Sequence, residues 1–205
     1  AGIGVRETLI SGLGLKQSPA RSSMSDGNKK RDWQVYENLY YKLLSHYKSI
    51  LKKHYQSFVI EEIKGQSIKL IDSSTIPLCL NMFDWAKFRT AKGGVKIHTC
   101  LDVEVMLPDV VNISEAKVHD SHGFEQLVFP RNTIIVEDRG YFDFSLMLNR
   151  ITAINTFVTR IKTNTVYETL EELELPEGKT APIVKDEIIH LTSAKATERG
   201  ISKQK

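Results

Sequence analysis

The sequence predicts a mixed α/β fold, in which a mixed sheet carries flanking helices and follows a helical segment. Apolar residues between Trp33 and Phe58 recur at three- and four-residue steps, which is the period of an amphipathic helix. From residue 63 the apolar residues alternate instead, as they do in strands. After residue 63 the expected order is three strands, a helix, a strand, a helix and a strand. A meander followed by right-handed crossovers builds a mixed sheet with helices on both faces.

The composition is that of an ordinary globular protein and excludes a disordered chain or a coiled-coil rod. The chain has 205 residues, of which 41% are hydrophobic and 26% charged, values typical of folded domains. Its two cysteines, Cys79 and Cys100, form no disulfide framework and are typical of a reducing cytosol. No apolar stretch reaches the length of about 18 residues that a membrane span requires. We therefore expect a cytoplasmic protein without a membrane partner.

Residues 1–62 are predicted to form a helical N-terminal region. The helical period is carried by a stripe of aromatic and aliphatic residues, with lysines off the stripe at Lys42, Lys48, Lys52 and Lys53. Residues 1–64 contain eleven Lys and Arg against six Asp and Glu, and such an excess favours an anionic partner. Two interpretations remain open: a solvated bundle helix, or a DNA-binding helix with a basic outer face.

Residues 63–162 contain the predicted sheet. Strands are expected at 68–72, 95–101, 104–113, 133–138 and 155–160, and helices at 120–128, with Asp120 as the cap, and at 142–151. A long loop, 73–94, follows the first strand. Pro108 removes a ladder donor, so the third strand should lie at a sheet edge. Residues 163–205 are less regular, and 165–175 and 185–191 could be strands or short helices.

Two aspartates stand where predicted strands end. Asp72 closes the first strand and Asp138 the fourth, and these strands can be neighbours in a mixed sheet of this order. Carboxylates at adjacent strand ends can share a hard divalent cation, and such sites cleave phosphodiesters. The alternative for each aspartate is a turn or a helix cap.

The segments around these aspartates resemble the DDE transposases of bacterial insertion sequences, specifically the IS-four group. I-D-S-S-T-I at 71–76 and D-R-G-Y-F-D at 138–143 resemble the first and second acidic motifs of the family. Between them stand W-A-K-F-R-T-A-K-G at 85–93, K-G-G-V-K-I-H at 92–98 and His119-Asp120. The resemblance is strong over about residues 60–165 and looser in the N-terminal helical region.

The resemblance implies an RNase H-like catalytic core at 63–162, with Asp72 on its first strand and Asp138 on its fourth. It also implies that 163–205 is the start of a β-rich insertion domain. Asp72 and Asp138 would be catalytic residues and ligands of Mg²⁺ or Mn²⁺. The implied activity is metal-dependent cut-and-paste transposition, in which water first cleaves a phosphodiester at an element end. The freed 3′-hydroxyl would then attack the opposite strand to form a hairpin, and later attack target DNA.

The implied partners are double-stranded DNA at the terminal inverted repeats and the target, and a second copy of the protein in the DNA complex. The setting would be the nucleoid of a bacterial cytoplasm. The predicted DNA contacts are basic or aromatic side chains near the acidic motifs, namely Lys87, Arg89, Lys92, Lys96, Arg139 and Tyr141. The loop aromatics Phe83, Trp85 and Phe88 either stack on an extruded base or fill the core.

One family feature is not found in the sequence. The family carries a third acid, a Glu within Tyr-x2-Arg-x3-Glu-x6-Lys, and no tyrosine here has Arg three residues later. We therefore expect the chain to stop before the third acid and to lack strand cleavage by itself. The alternatives are a truncated, non-catalytic DNA-binding fragment of a transposase, or an RNase H-like nuclease without transposition activity, since a fold does not determine one function.

Overall fold

The computed structural model describes residues 7–12, 14–54, 63, 65–78, 87–89, 92–125, 127–175 and 183–201. The chain divides into two compact units, residues 1–49 and 50–205. The predictions for Cys79, Phe83 and Trp85 lie outside the described residues. At 87–89 and at 92 only the backbone is described.

The first unit is helical, as the sequence predicts. It contains α1 (Glu7–Gly12), α2 (Arg21–Lys30) and the greater part of α3 (Gln34–His54). The predicted helix is confirmed up to His54, while the end of the apolar stripe, Tyr55 and Phe58, lies outside the described residues. Much of the stripe is exposed, with Trp33, which directly precedes α3, at 66% and Tyr36 on α3 at 52%. No helix in the described ranges is both long and apolar enough to cross a membrane.

The second unit is built on a mixed sheet, which confirms the predicted fold class and is compatible with an RNase H-like fold. Its strands are β1 (Ser67–Leu78), β2 (Lys87–Arg89), β3 (Lys92–Asp102), β4 (Leu107–Glu115), β5 (Thr133–Glu137) and β6 (Thr156–Val158). β1 lies between β3, which is antiparallel to it, and β5, which is parallel. β6 continues the parallel part beside β5, and β4 pairs with β3. The five predicted strands are therefore β1, β3, β4, β5 and β6.

The prediction of a long loop at 73–94 is wrong at both of its ends. β1 continues through Leu78, and β3 already begins at Lys92, because the two strands pair from Lys69–Asp102 to Leu78–Gly93. β2 lies within the predicted loop and pairs with the start of β3. The run Ser73-Ser74-Thr75 has no apolar alternation, but the ladder with β3 supplies the hydrogen bonds, and tertiary pairing outweighs local propensity.

The prediction of an edge position for the strand with Pro108 is confirmed. In the described part of the chain, β4 pairs with β3 and with no other strand. The register shifts opposite Pro108, between Cys100 and Leu101, as expected where a ladder donor is missing. The strand begins at Leu107 rather than at residue 104, because residues 103–106 form a turn with Met106 at φ 54°.

The predicted helix at 120–128 is wrong, and only a single 3-10 turn, Asp120–His122, forms there. His119, not Asp120, is the cap, and its side chain accepts a hydrogen bond from the backbone N–H of Ser121. The segment then leaves the helical path and brings Phe124 and Phe129 into the core. The second predicted helix is confirmed as α4 (Phe144–Thr152), preceded by a 3-10 turn at Arg139–Tyr141.

The sheet has two faces with different surroundings. The packed face, defined by Ile71, Cys100 and Ile135, forms a core with Phe124, Phe129 and Tyr141. Side chains alternate along a strand, so the pairing places Ser73, Lys96, His98 and Glu137 on the same face. The opposite face carries the intervening residues, including Asp72 and Leu70 on β1 and Val136 on β5.

The two irregular segments after residue 162 are strands. β7 (Tyr167–Glu172) and β8 (Glu187–Leu191) form a separate antiparallel pair, followed by the short helix α5 (Ala194–Glu198). Ala196 and Ile201 join Phe142 and Met147 in a second buried cluster. This C-terminal segment is therefore anchored on α4 by apolar contacts.

Gly123→Ala is expected to destabilise the second unit by about 1–3 kcal/mol, the usual effect of overpacking. A Cβ on Gly123 would lie 2.2 Å from Nδ1 of His98. The His98 ring is completely buried, its Nε2 lies 2.9 Å from Ser114 Oγ, and it packs edge-on against Phe124. The ring therefore cannot move away from the added methyl group.

Urea denaturation measures this effect, with Gly12→Ala as a control because nothing lies within 4 Å of its Cβ. In a His98→Ala background the additional loss caused by Gly123→Ala should shrink. An undiminished loss in that background would show that the clash is not the cause.

Candidate functional site

The pairing of β1 and β5 brings the two predicted aspartates together. The strands run parallel, with Ile71 opposite Glu137, so the next residue on each chain is Asp72 and Asp138. Neighbouring strands lie about 4.8 Å apart, and the alternation directs both side chains to the opposite face. Both aspartates are exposed.

Asp138 also has the capping role that the sequence leaves open as an alternative. It is the N-cap of the turn Arg139–Tyr141, and its Oδ1 accepts the backbone N–H of Arg139 at 2.7 Å. The cap fixes the carboxylate at the end of β5. Capping and ligand roles are compatible, because Oδ2 is not used by this bond.

Arg160 is a member of the site that we did not predict from the sequence. Its Nη2 lies 2.7 Å from Asp138 Oδ1, and the two side chains are 75% and 52% exposed. This bond, followed by that from the Arg139 backbone, lowers the pKa of Asp138. No spacing in the sequence signals this contact. It follows from the pairing of Val158 with Val136, which makes Arg160 and Asp138 neighbours two residues further along.

Lys96 and Tyr141 lie inside the fold. Lys96 Nζ is 3.0 Å from Asp120 Oδ1 and donates to the carbonyl oxygen of Val118 at 2.7 Å. Tyr141 is 2% exposed, and burial raises the pKa of its hydroxyl. These positions suit support of the site rather than contact with DNA.

A basic cleft adjoins Asp138. It has a volume of about 550 Å³ and is lined by Asp138, Arg139, Gly140, Lys162, Thr163 and Asn164. Arg139 is exposed, and Lys162 Nζ is held over the Phe142 ring, 2.9 Å from its carbonyl oxygen. Cationic groups beside the Asp138 carboxylate suit contact with a phosphate group.

The hairpin of β2 and β3 carries the other predicted DNA contacts, Lys87, Arg89 and Lys92. Its backbone pairs at Lys87–Gly93 and Arg89–Lys92, and Gly93 pairs in turn with Leu78 at the end of β1. The hairpin thus lies at the carboxyl end of β1, six residues beyond Asp72, or about 20 Å at the usual rise of a strand.

The oxygen donors fit a divalent cation of the Mg²⁺ or Mn²⁺ type. Mg²⁺ is commonly held by one or two carboxylates together with water and substrate phosphates, which is what two exposed carboxylates on one face offer. Among the described residues, no set of three or more His, Cys, Asp or Glu side chains is arranged to hold a metal. Two such carboxylates could hold a cation together with substrate oxygens.

Comparison with known proteins adds independent evidence. Residues 63–202 match the family described as the transposase DDE domain. Over 98 residues the chain is 33% identical to a protein named as the transposase for insertion sequence element IS5377 of Geobacillus stearothermophilus, which covers 47% of this chain and 26% of that protein. Over 178 residues it is 23% identical to y4zB of Sinorhizobium fredii, also named as a transposase, which covers 86% and 47% of the two chains. The chain spans about half or less of the length of these relatives, and no solved structure gives a significant match.

Proposed function

Because the chain belongs to the transposase DDE domain family, we propose that it carries two of the acidic residues with which a transposase cleaves and joins DNA strands. The observation that carries this proposal is the parallel register of β1 and β5, which ends with Ile71 opposite Glu137 and so makes Asp72 and Asp138 the next residue on each chain. Two carboxylates at that position serve phosphodiester chemistry.

Asp72 and Asp138 hold Mg²⁺ or Mn²⁺ in this proposal. The cation supplies Lewis-acid stabilisation of the phosphate oxygens. Asp138 Oδ1 accepts the Arg139 backbone N–H at 2.7 Å, a bond that fixes the carboxylate's orientation and would leave the other oxygen for the cation. Arg139 and Arg160 stand beside the carboxylates and pair with the phosphate that is attacked.

The reaction begins with the attack of a water oxygen on the phosphorus at an element end. The bond from phosphorus to the 3′ oxygen breaks, which leaves a 5′-phosphate and a 3′-hydroxyl. In cut-and-paste transposition that hydroxyl then attacks the opposite strand and later the target DNA. The protein acts on double-stranded DNA at terminal inverted repeats and target sites, as a self-associated complex, in the nucleoid of the bacterial cytoplasm.

DNA is held by two groups of basic side chains in this proposal. Arg139, Arg160 and Lys162 lie near Asp138, and Lys87, Arg89 and Lys92 on the hairpin lie further along β1, where they would contact a more distant part of the duplex. Phosphate contacts of this kind make binding weaker as salt rises. Lys96 and Tyr141 are not included among these contacts, because both are packed inside the fold.

The test is strand cleavage by the full-length protein that contains this chain. We expect it to nick a plasmid carrying the element ends in the presence of Mg²⁺, and Asp72→Ala to reduce the rate by at least about 10³-fold, since electrostatic stabilisation of the transition state is lost. Glu168→Ala, exposed on β7, serves as the matched control and should retain the rate.

The alternative functions predict other results. Nicking without joining of a pre-cleaved element end to target DNA would support a nuclease, and DNA binding without nicking would support a non-catalytic fragment. Undiminished nicking by Asp72→Ala would overturn the proposed site.

A further inference from the structure

Asp120 joins three parts of the second unit behind the proposed metal site. Its Oδ1 accepts the hydroxyl of Ser73 on β1 at 2.6 Å and lies 3.0 Å from Lys96 Nζ on β3. Its Oδ2 is packed against the turn after β5, where a Cβ on Gly140 would be 3.0 Å away. One carboxylate thus contacts two strands and a turn.

These contacts stand next to both proposed ligands in the chain. Ser73 directly follows Asp72, and Gly140 is two residues after Asp138. A shift of Asp120 would therefore be transmitted to the backbone that carries each ligand. The hydrogen bond to Ser73 is charge-assisted, and such bonds are stronger than neutral ones.

Asp120 is not placed to be a ligand itself. Ser73 and Lys96 point to the packed face, as their register with Ile71 and Cys100 shows, while Asp72 and Asp138 point to the opposite face. Asp120 reaches the sheet from the packed face, so its carboxylate and the proposed ligands are separated by the strands.

The carboxylate is held in its charged form by its partners. Burial by itself raises the pKa of Asp120, but the hydrogen bonds from Ser73 and Lys96 outweigh burial, and the net shift is downward. Lys96 is in turn anchored to the carbonyl oxygen of Val118, the residue directly before the 3-10 turn's cap at His119. The ionised pair therefore links the 118–120 segment to β3 as well.

We infer that Asp120 is a positioning residue of the proposed metal site, which holds the backbone after Asp72 and the backbone after Asp138 in the spacing that lets both carboxylates bind one cation. This inference rests on the proposed function. In the sequence, His119-Asp120 is only part of the resemblance to the family, or the start of a helix. In this inference Asp120 supports the two acidic motifs.

The experiment compares Asp120→Ala and Asp120→Asn with the unchanged chain in two measurements. Mn²⁺ affinity is followed by electron paramagnetic resonance, and amide hydrogen exchange is followed over 72–74 and 139–142. We expect Asp120→Ala to weaken Mn²⁺ binding by about 10–100-fold, as the loss of an outer-shell partner does, and to speed exchange in both segments. Asp120→Asn should keep part of the affinity, because its amide oxygen can still accept the Ser73 hydroxyl.

Asp109→Ala is the matched control. Asp109 is also a partly buried aspartate paired with a lysine, Lys69, but its pair joins the early part of β1 to β4. We expect this variant to lose stability without a change of Mn²⁺ affinity beyond about twofold, because it supports neither ligand. Ser73→Ala, which removes one hydroxyl, replaces Asp120→Ala if that variant does not fold.

The outcomes separate the inference from the proposed function. Equal losses of Mn²⁺ affinity in Asp120→Ala and Asp109→Ala, or unchanged exchange at 139–142, would overturn the positioning role. A different result would contradict the metal site instead: Mn²⁺ binding that Asp72→Asn does not change. If Asp120→Ala still speeds exchange in both segments, the structural link through Asp120 would nevertheless be supported.

Discussion

Asp138→Asn is expected to abolish specific Mn²⁺ binding by the chain, with a loss of affinity greater than about 100-fold. The loss of a charged ligand should exceed the 10–100-fold effect of losing an outer-shell partner, because a neutral amide oxygen binds a hard cation more weakly than a carboxylate does. The structure makes the substitution a clean one. Asn at an N-cap position still accepts the backbone N–H of Arg139, so β5 should end as it does in the unchanged chain.

Arg160→Gln provides the matched control for that experiment. This substitution also breaks the 2.7 Å pair with Asp138 but keeps the carboxylate. The chain should therefore bind Mn²⁺ at least as tightly as before, because a competing cation has been removed. Isothermal titration of both variants measures the difference. If Arg160→Gln lost binding as fully as Asp138→Asn, the ion pair and not the carboxylate would be the essential element.

Arg150→Met is expected to destabilise the second unit by about 3–5 kcal/mol at pH 7, the usual cost of leaving a buried charge without its partner. Arg150 Nη2 lies 2.6 Å from Glu137 Oε2, and the side chains are only 5% and 1% exposed. The guanidinium also lies 5.6 Å from the Phe129 ring centre. The pair fastens α4 to the last residue of β5, directly before Asp138.

The loss should depend on pH in a definite direction. Burial raises the pKa of Glu137 above its usual value, and the charge and hydrogen bond of Arg150 offset only part of that rise. A carboxyl whose pKa is raised on folding stabilises the protein below its unfolded pKa of about 4.3, and this stabilisation is lost as pH rises through the folded pKa. Removal of Arg150 raises the folded pKa further. Arg150→Met should therefore lose less stability at pH 5 than at pH 8.

Urea denaturation at the two pH values tests both statements. The double variant Glu137→Leu/Arg150→Met should recover much of the stability that Arg150→Met loses, because an apolar pair of similar volume often replaces a buried ion pair at little cost. The same loss at pH 5 and pH 8, together with no recovery in the double variant, would show that packing and not charge is what Arg150 supplies.

Much of the fold follows from local patterns, for reasons that the structure makes visible. Residues 133–137 form a short apolar run between turn residues, so they read as a buried parallel strand, and β5 is that strand. Pro108 predicts an edge because a missing donor is tolerated only there. The strand end predicted at Asp138 is confirmed to within one residue, because β5 ends at Glu137. The strand end predicted at Asp72 is wrong, because β3 pairs with β1 for six residues past Asp72.

The side chains that surround the two aspartates could not be predicted from the sequence, because they come from distant parts of the chain. Arg160 is 22 residues from Asp138 and Asp120 is 47 from Ser73, and each pair meets only because strands from different parts of the chain lie side by side. Lys96 looks like a DNA contact in the sequence because it stands in a basic run. In the structure its alternation with Val95 and Ile97 directs it to the packed face, where it pairs with Asp120.

The sequence by itself determined the α/β class and the chain order of five of the six sheet strands, because periodicity and turn residues are properties of neighbouring residues. The acidic motifs predict the roles of Asp72 and Asp138. Only the tertiary structure decided which face each side chain occupies, where β1 and β3 end, and which charges meet. Those outcomes depend on strand register, and a register is a relation between segments far apart in the chain, where a shift of one residue moves every side chain to the other face.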